Sequence, residues 1–381
     1  MYLKKLHLRS FRNYVDRQVE FTARKTILVG NNAQGKSNLL EAVELLASLK
    51  SHRASRDREL VLDTAIAGQV EAVVERAYST NELSIIFRKK GRRTVAVNRE
   101  NLRRQLDFLG VLNAVQFSSL DLDLVRGAPD TRRSWLDGLL IQLEPVYSSI
   151  LQQYNHVLRQ RNALLKKIRA VRQDQSLGSA DSFEPQLRLW DEQLAAAGSR
   201  VARRRARVVE RLAPIAHSWH KRISGDEQLE VKYLPNVEWT EDDPSKVQQA
   251  FLARIEERRM AEQYQGKTVV GTHRDEIEFA IDRTPARYYG SQGQQRTLVL
   301  ALKLAELKLI EEVIGEPPLL LLDDVLAELD PNRQKQLLEV IDDRFQTIIT
   351  TTHIDSFNQD WIKDSQVLKV EAGTLSVITD Y

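Results

Sequence analysis

The sequence predicts an α/β fold: one head whose two halves lie at opposite ends of the chain, with a helical arm between them. Three observations carry this prediction. Apolar strand-like runs alternate with helical patterns near both ends. A glycine-rich turn at residues 30–37 joins a strand run to a helical one. Between the two ends, the apolar period changes to the 3-and-4 spacing of paired helices.

Residues 2–8 alternate apolar and charged side chains and read as a strand, without the apolar core of a secretory leader. The run 26–29 is a second strand, and residues 36–49 follow as a helix. Residues 60–98 read as short strands, among them 83–88 and 94–98 around a turn at Lys90-Gly91. From Ile150 the apolar positions Tyr154, Val157, Leu164, Ile168 and Val171 keep helical spacing, with Arg161 at one skipped seam position. Residues 173–182 are polar and predict a hairpin tip. The return arm places Leu187, Trp190, Leu194, Ala197 and Val201 on one seam. The pattern resumes out of phase at Val208, Leu212, Ile215 and Trp219, with a kink expected at Pro214. Two such arms predict a short antiparallel, coiled-coil-like hairpin reaching about 44 Å at 1.5 Å per residue. Two ordinary amphipathic helices on a globular core are the alternative. Asp243-Pro244 supplies an N-cap and a first-turn proline for a further helix ending near Gly266. Strands near 268–281, a helix over 292–314, a buried strand at 319–322, a helix after Pro331 and a strand at 347–352 complete the reading. The expected domains are 1–142 and 267–381 for the two halves of the head, and 143–266 for the helical arm.

Composition bounds the function. The 381 residues are 42% apolar and 29% charged, as in a globular protein, and too many for one compact core. The net charge of +3 is too small to prove a nucleic-acid partner. The lack of cysteine excludes disulfides, thiolate chemistry, cysteine-ligated zinc and iron–sulfur clusters. No stretch approaches the ~18 apolar residues of a membrane span, so a cytoplasmic protein is expected. His217 and His220 share a helix face, but no third ligand accompanies them and no metal site is expected there.

The chemistry lies in the glycine-rich turn. Gly30-Asn31-Asn32-Ala33-Gln34-Gly35-Lys36-Ser37 fits G-x-x-x-x-G-K-[ST] between a strand and a helix. Its backbone N–H groups would face phosphates at a helix N-terminus, Lys36 would bridge the outer phosphates, and Ser37 would hold Mg²⁺. Leu319-Leu320-Leu321-Leu322 brings Asp323 and Asp324 to the C-terminal end of a buried strand. Asp323 suits Mg²⁺ through water, and Asp324 the proton of an attacking water. Ser291-Gln292-Gly293-Gln294-Gln295 opens the long helix and forms a second anion site, for which one chain has no second triphosphate. A head-to-head dimer answers this: each Ser291 faces the γ-phosphate held by the other subunit.

In this order, with Ala327-Glu328-Leu329-Asp330 and Thr352-His353 after them, these motifs resemble the ABC-type ATPase series, and the insertion narrows it to the SMC-like branch. Ser10-Phe11-Arg12-Asn13-Tyr14, the phosphate loop through Asn38, Val125-Arg126-Gly127-Ala128-Pro129-Asp130-Thr131-Arg132-Arg133, Gly271-Thr272-His273-Arg274-Asp275 and the run from Leu322 to Asp330 resemble the RecF family of bacterial recombination mediators. Thr272 and Ala128 depart from the family pattern, where proline and serine are usual. The resemblance implies an ABC-type head split in sequence. It implies that Arg12, Asn13 and Asn38 lie at the nucleotide, that Gly293 and Gln294 act with Ser291, that Gln116 is the Q-loop residue near Mg²⁺ and the attacking water, and that His353 senses the γ-phosphate. Asp324 replaces the glutamate common in ABC ATPases, and its shorter reach suits slow hydrolysis. The implied activity is an ATP-dependent DNA clamp of repair and replication restart: a weak, DNA-stimulated ATPase that dimerises with ATP on duplex or gapped DNA. The implied partners are RecR and RecO, and indirectly RecA, at the nucleoid.

Two basic clusters bear on DNA. Arg88, Lys89, Lys90, Arg92 and Arg93 crowd one hairpin turn and read as a phosphate-contacting surface. Arg200, Arg203, Arg204, Arg205, Arg207 and Arg211 crowd one helix of the arm, either for DNA or to pair with neighbouring carboxylates. Without an aromatic platform, duplex or junction DNA is expected rather than single strand. A transporter ATPase subunit shares the phosphate chemistry, but keeps a far shorter interval than that from Lys36 to Ser291. A chromosome-organising ATPase needs longer arms.

Overall fold

The computed structural model describes all residues except 175–178, 327–328, 342–343, 355–356, 358 and 379–381. Strands β1 (Tyr2–Phe11), β2 (Tyr14–Glu20) and β3 (Lys25–Val29) lead into helix α1 (Lys36–Ser48). Then come β4 (Ala67–Arg76), β5 (Ser79–Arg88), β6 (Thr94–Val97), β7 (Glu100–Asn101) and β8 (Ala114–Ser118). Helices α2 (Asp123–Arg126) and α3 (Pro129–Leu143) lead to the arm, built from α4 (Val146–Gln173), α5 (Glu184–Ser224), β9 (Leu229–Leu234) and α6 (Pro244–Gln265). The chain returns through β10 (Glu276–Ile281), β11 (Thr284–Pro285), α7 (Ala286–Tyr289), α8 (Gln292–Ile314), β12 (Leu319–Asp323), α9 (Pro331–Ile341), β13 (Thr347–Thr351), α10 (Gln359–Lys363), β14 (Ser365–Glu371) and β15 (Thr374–Val377).

One sheet, in the order β15-β14-β3-β13-β12-β8, interleaves strands from both ends of the chain. β3, β8, β12, β13 and β14 run parallel, with Leu322 opposite Phe117 and Thr350 opposite Leu28. Leu319 to Leu322 are all buried, as a strand covered on both faces requires. A second, antiparallel sheet has the order β2-β1-β4-β5-β6-β7, and β11-β10-β9 form a third. In β1 the buried Leu6 and Leu8 alternate with the less buried Lys5, His7 and Arg9, and the register shifts between Leu3 and Lys5.

The arm differs from a two-helix hairpin in one respect: α6 packs against both α4 and α5, making three helices. This explains the skipped seam position. Arg161 is fully buried where the three meet, donating to Asp191 on α5 (2.8 Å), Glu262 on α6 (2.6 Å) and Thr268 (2.9 Å). α5 runs on through Pro214, which sits inside a single helix. At 1.5 Å per residue the 28 residues of α4 span about 42 Å. The strand expected from 268 starts only at Glu276, because side chains of the arm take up the preceding backbone: Thr268 N donates to Asn162, and Val269 N to Glu262.

Candidate functional site

The phosphate loop is shaped by close backbone approaches. A Cβ at Gly30 would lie 2.3 Å from the Val370 carbonyl oxygen, and one at Gly35 would lie 2.6 Å from the Asn13 side chain. Gly35 also has φ 116, a region that side chains avoid. The turn after β1 clamps the loop: Asn13 Nδ2 donates to Gln34 O (3.0 Å) and Tyr14 O–H to Gly35 O (2.9 Å). From the other side, Gly373 N donates to Gln34 O (3.0 Å). Asn38 Nδ2 reaches back to Asn13 Oδ1 (2.8 Å). Asn31, Asn32 and Ala33 form the exposed crest. Arg12 is beside the loop, but its guanidinium forks onto the buried Glu41 at 2.7 and 2.8 Å.

Lys36 is buried in the loop it serves, with Nζ donating to the carbonyls of Gly30 (2.6 Å) and Asn31 (2.9 Å). Burial pulls its pKa below the ordinary lysine value, and the carboxylates of Asp324 and Asp323 oppose that shift. Asp323 Oδ1 accepts from Ser37 Oγ and from Thr350 Oγ1, both at 2.8 Å. Asp324 follows at φ 56, a left-handed backbone that aspartate tolerates better than most residues, and its N–H donates to Thr350 Oγ1 (2.9 Å). These side chains and the loop enclose a cavity of about 300 Å³. A hydroxyl and a carboxylate in contact, both oxygen donors, fit Mg²⁺. Arg53 also lines the cavity and donates to Asn38 Oδ1 (3.1 Å). Sequence reasoning passed over Arg53; its place a few residues beyond the end of α1 was the available signal.

Two expected members stand apart. Gln116 lies on β8 opposite Leu321, two residues before the level of Asp323, and lines a different cavity. Its Nε2 is 3.4 Å from His52 Nε2. His353 is exposed beyond the end of β13, with its N–H donating to Thr351 Oγ1 (3.2 Å). Ser291 is exposed and caps α8, accepting from Gln294 N (3.2 Å) while Gln294 Oε1 accepts from Ser291 N (2.8 Å). Arg333, on α9, ties this helix start to the segment after β12 by donating to Gly293 O (3.2 Å) and Thr297 Oγ1 (2.8 Å). Ser291, Gly293 and Gln294 are absent from the lining of the phosphate-loop cavity of their own chain. Ala327 and Glu328, which follow in the same motif, lie outside the described residues.

Two other motifs form a buried joint between head and arm. Arg132 forks onto Glu276 at 2.7 and 2.9 Å, and Arg133 donates to Asp275 O (2.7 Å). Arg205 of α5 forks onto Asp137 at 2.9 and 3.0 Å and reaches Asp275 Oδ2 at 3.1 Å. Burial raises the Asp275 carboxyl, against the pull of Arg205. His273 sits between Tyr154 O–H (2.7 Å, at Nδ1) and Thr268 O (3.2 Å, at Nε2), and burial lowers its pKa to about 4.

The basic clusters resolve differently. In the arm, Arg203 and Arg207 pair with Asp242, Arg204 with Glu144, and Arg205 is buried, so four of the six arginines have carboxylate partners. Of the five hairpin cations, Lys89, Lys90 and Arg92 are exposed, and Arg88 and Arg93 are half-buried. Arg93 pairs with Asp57 and stacks on Phe87, and Arg88 donates to Arg92 O and Thr94 Oγ1, because the turn needs these groups to hold its shape. Among the described residues there is no cluster of metal-ligating side chains, and no helix is long and apolar enough to cross a membrane.

The family model for the RecF/RecN/SMC N-terminal domain matches residues 2–376. A protein of Gloeothece citriformis described as DNA replication and repair protein RecF is 68% identical, over 98% of this chain and 99% of that one. Its counterpart in Crocosphaera subtropica is 65% identical, over 99% and 100%. The solved structure of the recombination mediator RecF with ATP, from the RecFOR pathway, superposes with a TM-score of 0.90 at 33% identity, covering 99% of this chain and 98% of that one. An Smc head domain from Pyrococcus furiosus shares the fold alone, at a TM-score of 0.54 and 17% identity. With matches that run nearly from end to end, the chain belongs to the RecF family of DNA replication and repair proteins, built on an SMC-type ABC ATPase head.

Proposed function

We propose that this protein is a recombination mediator that works as an ATP-gated DNA clamp. It would close as a dimer on duplex or gapped DNA, hydrolyse ATP slowly to let go, and act with RecR and RecO so that RecA is loaded at single-strand gaps. The head would comprise 1–142 and 267–381, and the arm 143–266. The observation that carries the reading is the contact of Ser37 with Asp323 beside Lys36, across two ends of the chain. It is supported by the likeness to a RecF solved with ATP.

In this reading Lys36 exchanges its two loop carbonyls for the outer phosphates of ATP. The backbone of residues 30–35 and the side chains of Asn13 and Asn38 hold the loop in shape, while Arg12 acts at one remove, by fixing Glu41 of α1. Ser37 and Asp323 would hold Mg²⁺, which would supply charge neutralisation at the phosphates. Asp324 accepts the proton of the attacking water. His353 reports the γ-phosphate, and Gln116, on the strand beside Asp323, serves as the Q-loop residue for Mg²⁺ and the attacking water. Ser291, Gly293 and Gln294 serve the partner's nucleotide, because α8 begins away from the cavity of its own chain. Lys89, Lys90 and Arg92 contact DNA phosphates.

Sizing the protein with ATP, with ADP and without nucleotide tests the clamp. A dimer should form with ATP alone, and Ser291→Arg should abolish it while labelled-ATP binding persists. A dimer that forms without nucleotide, or that survives Ser291→Arg, refutes this reading.

A further inference from the structure

The strand β8 closes one side of the parallel sheet, and no described strand lies beyond it. Its inner edge bonds β12, as Leu319 N does to Asn113 O (2.9 Å). Its outer edge is capped at both ends by side chains: Gln142 Oε1 accepts from Ala114 N (2.9 Å) and Asp121 Oδ2 from Ser118 N (2.7 Å). By the alternation of a parallel ladder, the N–H and C=O of Gln116, between those two, point the same way. They face a cavity of about 440 Å³ between α1, α3 and α8, walled by Trp135, Leu139 and Leu120. Gln116 Oε1 is itself buried without a partner.

A second observation is independent of the strand. Gly138 lies in the middle of α3 and lines the same cavity, and a Cβ placed there would meet nothing within 4 Å. Mid-helix glycine costs about 1 kcal/mol relative to alanine, and no packing contact requires it. The absence of a large side chain at this position leaves the groove open opposite the free edge.

We infer that this groove takes an extended, basic peptide segment of a partner protein by strand addition, with one apolar side chain of the segment against Trp135 and Leu139. The main chain of the segment bonds the N–H and C=O of Gln116, and the two capping side chains limit the contact to a few residues. Charge selects a basic segment: Glu44, Asp121, Asp123 and Glu306 line the groove against Lys50, Lys303 and His52, whose Nδ1 lies 2.6 Å from Glu44, and the carboxylates still outnumber the cations. The ammonium of Lys303 is already taken, at 2.9 Å from Asp121 and 3.4 Å from Glu306. The same net negative charge repels nucleic acid. Because α1 carries Lys36 and α8 begins at Ser291, a segment wedged here touches both elements that the ATP reading uses, although the docking itself does not depend on that reading.

The probe is a fluorescein-labelled pool of acetylated, amidated pentapeptides of the form Lys-Val-X-Val-Lys, with X each amino acid in turn, followed by anisotropy. Peptides with apolar X should bind saturably. The glutamate-flanked analogue, the analogue N-methylated at X, and the Gly138→Phe protein should each bind at least tenfold more weakly. Gly138→Ala, which adds one methyl to open space, should retain binding and checks that the helix tolerates a side chain here. Absence of saturable binding by any member overturns the proposal, as does indifference to N-methylation or to Gly138→Phe. Equal competition by lysine amide alone overturns it in favour of a small-amine site. A nucleotide-independent dimer lost in Gly138→Phe overturns it in favour of a second copy of this chain.

Discussion

Replacing His273 by glutamine should remove an acid sensitivity built into the joint between head and arm. The neutral imidazole accepts from Tyr154 O–H at Nδ1 and donates to Thr268 O from Nε2. A second ring proton would face the Tyr154 hydroxyl, in a buried setting that also holds Arg133, Arg161 and Arg274. Burial first, and these cations after it, lower the pKa from 6.5 to about 4. A depressed pKa favours the neutral form in the folded state. Its stabilising contribution is therefore complete above about pH 6.5 and is lost as pH falls toward 4. Between pH 7.5 and pH 5.0 the linkage amounts to about 2 kcal/mol, the unfolded chain taking up the proton that the folded one resists. Glutamine can accept and donate at similar positions but does not titrate. Urea unfolding at the two pH values, with two probes that must coincide, measures the difference. The wild type should lose about 2 kcal/mol more than His273→Gln on going to pH 5.0. Asp275, whose carboxyl is raised by burial, titrates in both proteins, so to first order its contribution cancels in the comparison. Equal losses, within about 0.5 kcal/mol, would show that His273 titrates as an ordinary histidine and that the joint does not exclude the proton.

Two further outcomes concern turnover and DNA. Asp324→Asn keeps the left-handed backbone accessible and removes the proton acceptor. ATP should still bind, while hydrolysis should fall by roughly two to four orders of magnitude in a phosphate-release assay. Turnover at the wild-type rate would move the base to another residue. Reversing the charge of Lys89, Lys90 and Arg92, and sparing Arg93 because it pairs with Asp57, should weaken duplex binding and flatten its dependence on salt at unchanged ATP affinity. An unchanged salt slope would place the DNA surface elsewhere.

Local chemistry made much of this protein legible in its sequence. Four leucines before Asp323 could only be a buried strand, and Asp243-Pro244 and Gly266 bounded α6 because capping depends on a few adjacent residues. The glycine-lysine-serine turn likewise carries its geometry in its own spacing, whereas the capping box that Ser291 and Gln294 close emerged only with the structure. Charge was another matter. Six arginines on α5 look alike in sequence, yet Arg205 is buried between Asp137 and Asp275, while Arg203 and Arg207 share Asp242 across a separate loop. Arg161 interrupted an apolar seam for a reason visible only when a third helix brought Glu262 against it. Gln116 and Asp323 lie on neighbouring strands, but the register sets them two residues apart in height and so in different cavities. The physical reason is the same in each case. Apolar burial and capping are satisfied by neighbours a few residues away, whereas a buried charge or a site spanning two strands is satisfied by partners that only the packed chain brings within hydrogen-bonding distance.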